Sequence, residues 1–301
     1  MTSSPSPDDP RSSTVGVVTV AYRSDGVLPA FLASVERASA IPVVTVVVDN
    51  LPGESTRASA IATEHDARYL ARADNPGYGG AMNAGVAQLP PTVRWFLLSN
   101  PDVVLSAGAI DLLVGVGESD DRIGAVGPAV LNDDGTVYPS ARAVPSLRTG
   151  VGHALFVNLW QSNPWTRRYR QDAIGESGRR DAGWLSGSCL LVRRSAFEAV
   201  GGFDEGYFMY FEDVDLGYRL GRAGWRNVYE PAVSVLHLGA HSTASESARM
   251  VQAHHDSARR FLARKYRGWP LWPIRTALGV GLRLRSGLLK RRARRAPADP
   301  R

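Results

Sequence analysis

The 301-residue chain is 44% hydrophobic and 21% charged, a composition that can bury a sizeable core as one large domain or two modest ones. Cys189 is the only cysteine, which excludes an intramolecular disulfide and a cysteine-based zinc site and favours a reducing, cytosolic setting. The net charge of +6 hides an asymmetry: residues 259–301 carry +13 and the remainder −7, so the tail calls for an anionic partner that the body does not.

Residues 1–13 are rich in Ser, Pro and Asp, lack the basic-then-apolar pattern of a secretory signal, and read as a disordered N-terminus. Val15–Ala21 is a buried-strand run. An amphipathic helix is predicted over 27–38, and 43–48 is a second strand, five Val and one Thr, ending at Asp49-Asn50. A helix over 54–64 and a short strand over 67–70 lead to the turn Asp74-Asn75-Pro76-Gly77, then a helix over 81–89. The strand 95–98 ends in Ser99-Asn100-Pro101-Asp102, and Ser106 is placed to cap a helix reaching Gly115. Ile123–Leu131 is a strand, followed by the turn Asp133-Asp134-Gly135. From 139 to 180 the regular pattern fades, and Trp160, Trp165, Arg167, Arg168, Tyr169 and Arg170 interleave. A strand over 188–192, a short helix from Ser195, a helix over 212–223 and strands over 227–229 and 233–236 follow. Beyond Glu246 the chain reads as helical and increasingly basic. Alternating strands and helices imply a mostly parallel α/β sheet, whose ligands sit at the carboxyl ends of the strands. Asp49, Asn50, Asn100 and Asp102 fall at such ends.

Several residue groups there have chemistry to offer. Asp49-Asn50 is either a strand-ending turn or a carboxylate that reads a nucleotide base or ribose. Asn75-Pro-Gly-Tyr-Gly-Gly-Ala-Met-Asn83 is a glycine-rich entry to a helix that offers N–H groups to phosphate; it is no P-loop, because no Gly-Lys-Ser/Thr follows. Asn100-Pro101-Asp102 suits a hard cation that also binds substrate phosphates, or is a plain Asx-Pro turn. Glu212-Asp213-Val214-Asp215 puts three carboxylates in four residues behind Tyr207, Phe208, Tyr210 and Phe211. Acidic residues favour a first helical turn, but burial and like charge would also raise a carboxylate toward base strength. His237 ends an apolar run and can complete a metal shell, while His254, His255 and Cys189 read as packing residues.

In their order along the chain, Asp49-Asn50, Asn75 to Gly85, Asn100-Pro-Asp102, Trp184-Leu-Ser-Gly-Ser188 and Gly201-Gly-Phe-Asp-Glu-Gly-Tyr-Phe-Met-Tyr-Phe-Glu-Asp-Val-Asp215 resemble inverting family-2 glycosyltransferases of the GT-A fold. Val137-Tyr-Pro-Ser-Ala-Arg142, Asn163-Pro-Trp165, Val235-Leu-His237 and His241-Ser-Thr243 resemble the actinobacterial rhamnosyltransferases of cell-wall linker synthesis within that family. The resemblance covers about residues 14–290. It implies a GT-A domain over 14–245 and a basic helical extension over 246–301.

The roles the resemblance implies are these. Asp213 is the base, with Glu212 and Asp215 beside it. Asp49, Asn50, Asn75, Gly77, Tyr78, Gly79, Asn83 and Asn100 lie on the donor side. Trp184, Ser186, Gly187, Arg142 and His241 lie on the acceptor side. Asp102 and His237 hold Mg²⁺ or Mn²⁺, with Asn100 standing where the family's Asp-x-Asp motif has its first Asp. The implied donor is dTDP-L-rhamnose and the implied acceptor an N-acetylglucosaminyl-diphospho-polyprenol, which places the protein in the cytoplasm at the inner face of the membrane. The stretch 269–295 mixes Trp269, Trp272, Ile274, Leu278 and Leu282 with arginines, as an interfacial helix does on an anionic leaflet. Two alternatives stand beside this reading: another family-2 transferase using a galactofuranosyl or hexosaminyl donor, and a non-catalytic nucleotide-sugar binder. No nucleic-acid recognition motif accompanies the basic tail, and the acidic body repels phosphate backbones.

Overall fold

The computed structural model describes residues 15–53, 57–146, 178–239, 247–267 and 276. The chain runs β1 (Val15–Ala21), α1 (Leu28–Ala38), β2 (Val43–Asp49), α2 (Ala58–Glu64), β3 (Arg68–Ala71), α3 (Gly77–Val86), β4 (Trp95–Ser99), β5 (Val103–Leu105) and α4 (Ala109–Glu118). It continues with β6 (Ile123–Leu131), β7 (Val137–Tyr138), β8 (Ala141–Arg142), β9 (Arg180–Ala182), β10 (Trp184–Leu185), β11 (Cys189–Arg193), α5 (Arg194–Ala199), α6 (Glu212–Arg222), β12 (Arg226–His237) and α7 (Ser247–Lys265).

The main sheet has the order β3-β2-β1-β4-β11-β6-β12-β5. Its first four strands are mutually parallel. β11 runs against β4 and β6, β12 runs with β6, and β5 runs against β12. The sheet is therefore mostly parallel, as the alternation of elements predicts. Its central strands are apolar on both faces because both are covered: every residue of β1 is buried. One core packs α1 and α4 onto the sheet through Phe31, Leu32, Ile110 and Leu113. The other packs α3, α5 and α6 through Met82, Phe197, Leu216 and Leu220.

Four sequence expectations change. The two short strands over 227–229 and 233–236 are one strand, β12; Pro231 interrupts the apolar run, but the ladder to β6 only shifts register between Glu230 and Ser234. Ser106 does not cap α4: its hydroxyl donates to Ser234 O at 2.8 Å, and the helix starts after Gly108, which is left-handed at φ 71°. The glycine-rich helix starts at Gly77, not residue 81. β5 is too short to show in the pattern, yet it carries a sheet edge.

The helix predicted beyond Glu246 is present as α7, and it packs on the body. Phe261 is fully buried with Trp184, Tyr207 and Val214. Ser257 Oγ donates to Met209 O at 2.8 Å, and Arg260 and Arg264 pair with Asp204. The structure thus joins the start of the expected extension to the same packed unit as α6. Residues 1–14, 147–177 and 268–275, with His241 and the stretch around Trp165, lie outside the described residues.

Candidate active site

The sheet registers bring distant residues to one edge. At the end of β4, Ser99 pairs with Cys189 of β11. The next amide, Asn100 N–H, donates to Ser188 O at 2.9 Å, and Ser99 Oγ donates to the same carbonyl at 3.1 Å. On the other flank His237 pairs with Val103, and Leu238 N–H donates to Asp102 O at 2.9 Å. This ladder sets His237 Nε2 3.2 Å from Asp102 Oδ1 and 3.4 Å from Asn100 Nδ2. The contact with Asp102 raises the His237 pKa.

Asp102 Oδ1 is buried and accepts no aligned hydrogen bond among the described residues. An orphaned carboxylate oxygen facing an imidazole nitrogen is a donor set that fits a divalent cation with most of its shell left for substrate phosphates. Among the described residues no group of three His, Cys, Asp or Glu side chains forms a complete cage.

One turn of chain further, Gly187 links the other half. Its N–H donates to Asp213 Oδ2 at 3.0 Å, and its carbonyl accepts the Tyr78 hydroxyl at 2.5 Å. Asp213 Oδ1 accepts the Val214 N–H at 2.8 Å. Burial raises the Asp213 pKa, against the pull of the Gly187 and Val214 N–H groups and the Arg142 charge. Beside it Glu212 is buried, its Oε2 has no partner among the described residues, and burial together with the Asp213 charge pushes its pKa to about 8. Tyr78 is pushed well above its ordinary value by burial and by the charges of Glu212, Asp213 and Asp102.

The approach to this pair is strained. Tyr210 and Phe211 are both left-handed, at φ 67° and 66°, and bulky residues in that region mark a conformation the surroundings enforce. What enforces it is packing on α7: Phe211 lies against His254 and Phe261.

The structure assigns different work to several residues expected at the site. Asp215 does not stand with Glu212 and Asp213: it is fully buried and bonded to Arg219 at 2.6 Å, Arg264 at 3.1 Å and Tyr207, which ties α6 to α7. Asn83 is consumed by the loop before α6, donating to Phe203 O and Glu205 and accepting the Phe203 N–H. The glycine-rich helix start is not open to phosphate at its first two amides: Gly77 N–H is taken by Asn75 Oδ1 and Tyr78 N–H by Phe208 O. Gly77 is left-handed at φ 81°, and a Cβ there would overlap the Phe208 carbonyl. A Cβ on Gly79 would press on the Phe203 side chain at 3.0 Å, and Asn50 Nδ2 donates to Gly77 O at 3.2 Å. These residues form the seam between α3 and the segment carrying Asp213.

Asp49 stands buried at the end of β2, its oxygens accepting Leu51 N–H and Tyr69 Oη–H, each at 2.9 Å. On the other side Trp184 is buried in β10 opposite Arg142, and Ser186 Oγ lies 3.1 Å from Ser188 Oγ. Cys189 is inert core, its thiol pushed up to about 12 by burial. The carbonyl of Ser188 and the Asp204–Arg264 pair were not visible in any motif; only the fold gives them a place.

Glu212 generates a stability prediction. Between the ordinary carboxylate range and about pH 8 the unfolded chain has released this proton and the folded chain still holds it, so stability falls as pH rises. Glu212→Gln removes that dependence. Urea unfolding of both proteins at pH 5.5 and pH 8 should show the wild type losing on the order of 2 kcal/mol more than the variant. Parallel pH dependences would show that Glu212 is ionised in the fold.

Comparisons with known proteins identify the family and the fold. The family model described as "Glycosyltransferase like family 2" matches residues 10–256. The chain is 46% identical over 284 residues to the N-acetylglucosaminyl-diphospho-decaprenol L-rhamnosyltransferase of Mycobacterium tuberculosis, covering 91% of this chain and 92% of that protein. It is 48% identical over 82 residues to the rhamnosyltransferase WbbL of Escherichia coli K12, covering 27% of this chain and 31% of the other. Among solved structures, the mannosyltransferase PcManGT of Pyrobaculum calidifontis, in complex with GDP-Man and Mn²⁺, superposes with a TM-score of 0.56 at 15% identity, over 99% of this chain and 79% of that one. GalNAc-T7 with UDP, GalNAc and Mn²⁺ also gives 0.56, at 16% identity, over 78% of this chain and 45% of that one. The chain belongs to glycosyltransferase family 2 and has the GT-A fold.

Proposed function

We propose that this protein transfers L-rhamnose from dTDP-L-rhamnose, with inversion, to an N-acetylglucosaminyl-diphospho-polyprenol. The observation that carries the reaction type is the placement of Asp213 and the Asp102–His237 pair on two sides of the short segment Gly187-Ser188. The substrate assignment rests on the 46% identity to the mycobacterial enzyme over nearly the whole of both chains.

In this reading Asp213 takes the proton of the acceptor hydroxyl as that oxygen attacks the anomeric carbon. General base catalysis of this kind contributes about 10²–10⁴-fold. Its two N–H contacts fix the carboxylate and leave lone pairs for the incoming hydroxyl. Its raised pKa makes it a stronger base than a surface aspartate. Asp102 and His237 hold a divalent cation, Mg²⁺ or Mn²⁺, with Asn100 beside them. When bound, such an ion neutralises the charge that develops on the departing nucleoside diphosphate. Asp49, locked by Tyr69 and the Leu51 N–H, reads the pyrimidine base. Trp184, Ser186 and Gly187 form the acceptor wall. No covalent intermediate on the protein is needed for an inverting displacement.

The acceptor also accounts for the charge map. Among the described residues no helix is long and apolar enough to cross a membrane. The +13 segment gives the chain a peripheral hold on the anionic leaflet that carries a polyprenyl substrate, at the cytoplasmic face.

The direct test is transfer by purified protein, with Mg²⁺, onto a short-chain lipid-diphospho-N-acetylglucosamine. Turnover is expected with dTDP-rhamnose and not with UDP-galactofuranose, UDP-N-acetylglucosamine or UDP-glucose. Turnover with one of the latter alone discards the rhamnosyl assignment. Asp213→Asn should lower kcat by about 10²–10⁴-fold with donor affinity unchanged, and Asp102→Ala should abolish the metal dependence of donor binding measured by calorimetry. Retained turnover in the first, or an unchanged metal titration in the second, removes that role. Sedimentation with anionic liposomes should fall when residues 270–301 are deleted, while turnover of the soluble short-chain acceptor persists. Equal loss of both would make the tail part of the catalytic fold.

A further inference from the structure

Arg142 carries its charge on the strand pair that leads into the Gly187 segment, to which Asp213 is bonded. It lies in β8, opposite Trp184 of β10, three residues before Gly187. Its guanidinium carbon is 5.7 Å from the Trp184 ring centre and 5.6 Å from that of Tyr138. Its Nε donates to Pro139 O at 2.7 Å, which fixes the plane of the fork. The two terminal nitrogens have no hydrogen bond or ion pair among the described residues. Three arginines that pack α6 onto its surroundings are engaged by carboxylates: Arg219 bonds Asp215 and Val200 O, Arg260 bonds Asp204, and Arg264 bonds both Asp204 and Asp215. The Arg142 charge nevertheless acts on the Asp213 carboxylate. Tyr138 is exposed and Trp184 buried, so the fork sits where solvent meets the site.

A guanidinium set over two aromatic rings and tied by one backbone bond, with its outer N–H groups unspent, is suited to capture phosphate in a bidentate way. Two diphosphates converge on the proposed reaction, one on the donor and one on the acceptor. The donor's belongs with Asp102 and His237, which adjoin Ser188. Arg142 approaches Gly187 from the other direction along the chain. An acceptor sugar whose reacting hydroxyl faces Asp213 carries its own diphosphate across the same ring. We propose that Arg142, stacked by Trp184 and Tyr138, binds the diphosphate of the lipid-linked acceptor and selects acceptors that carry one. This rests on the proposed reaction class.

The test compares two acceptors, a short-chain lipid-diphospho-N-acetylglucosamine and a phosphate-free alkyl N-acetylglucosaminide, in the wild type, Arg142→Gln and Arg142→Lys. Wild-type turnover of the first acceptor checks the reaction class separately; its absence overturns that reading and this one with it. With turnover present, Arg142→Gln should raise KM for the diphosphate acceptor about 10- to 100-fold, the worth of hydrogen bonds to a charged group. KM for the donor should stay as in the wild type. Arg142→Lys, which keeps the charge and loses the fork, should fall between. Turnover of the phosphate-free acceptor, where measurable, should change less than threefold. Three results overturn the proposal: an unchanged KM in Arg142→Gln, a loss confined to kcat, or an equal loss on both acceptors. The second would make Arg142 a tuner of Asp213 instead of a binding group.

Discussion

The backbone of Ser186-Gly187-Ser188 is the constraint on which the rest of this site depends. Within three residues it accepts the Tyr78 hydroxyl, donates to Asp213 and accepts from Asn100 and Ser99. The segment enters β11, which is antiparallel to β4 and β6 and so begins where β4 ends. A parallel strand there would begin at the opposite edge of the sheet, far from Asn100. The reversal of β11 in a mostly parallel sheet is therefore what lets a loop from the second half of the chain touch the strand ends of the first half. Buried backbone groups must be paired, and here their partners include the side chains of Tyr78, Asp213 and Ser99 and the backbone N–H of Asn100. A shift of this loop would move Asp213 and the Asn100 end of β4 together.

The second support comes from behind. Glu212 and Asp213 begin α6 immediately after two left-handed aromatic residues, an entry that costs about 1–3 kcal/mol for each. Asp215, one turn into the helix, is held by Arg219 and Arg264, and Arg264 also reaches Asp204 on the near side of the strained stretch. Phe261 fills the space between Tyr207, Val214 and Trp184. The third carboxylate of the acidic run thus serves the first two by anchoring the helix they start. α7, the first part of the basic C-terminal segment, supplies the anchor.

This division of labour marks how far the sequence could be read. Strands with continuous apolar runs, such as Val15–Ala21 and Ile123–Leu131, were legible because burial on both faces leaves its mark in composition. Asp102, Asp213 and His237 were legible as ends of such runs or starts of helices. The separate fates of Glu212, Asp213 and Asp215 were not, because three acidic residues in one turn look alike until a partner is known. Arg264 lies 49 residues from Asp215, and no local pattern reports it. Asn83 and Gly77 looked like phosphate ligands for the same reason: a polar, glycine-rich helix start serves equally to bind an anion or to let another loop approach closely. In the fold this helix start meets Phe203 and Phe208 of the later loop, a contact no local pattern announces.

Charge economy explains two features that otherwise look like defects. Asn100 stands where a second aspartate would complete the metal motif, and Glu212 keeps its proton to about pH 8. Both choices remove negative charge from a site that already holds Asp102 and Asp213. In the proposed reaction two diphosphates also converge there, and like charges at such distances, away from water, repel by several kcal/mol. A neutral amide beside Asp102 still leaves one carboxylate oxygen and one imidazole nitrogen for a cation, with the remaining coordination left to phosphate. A neutral Glu212 leaves Asp213 as the single strong acceptor on the base side. In the proposed reaction the positive charge of Arg142 falls on the Asp213 side, while a cation held by Asp102 and His237 would balance the other. The proposed site would then have two anion-binding halves, each with one carboxylate and one source of positive charge, on either side of the Gly187 backbone.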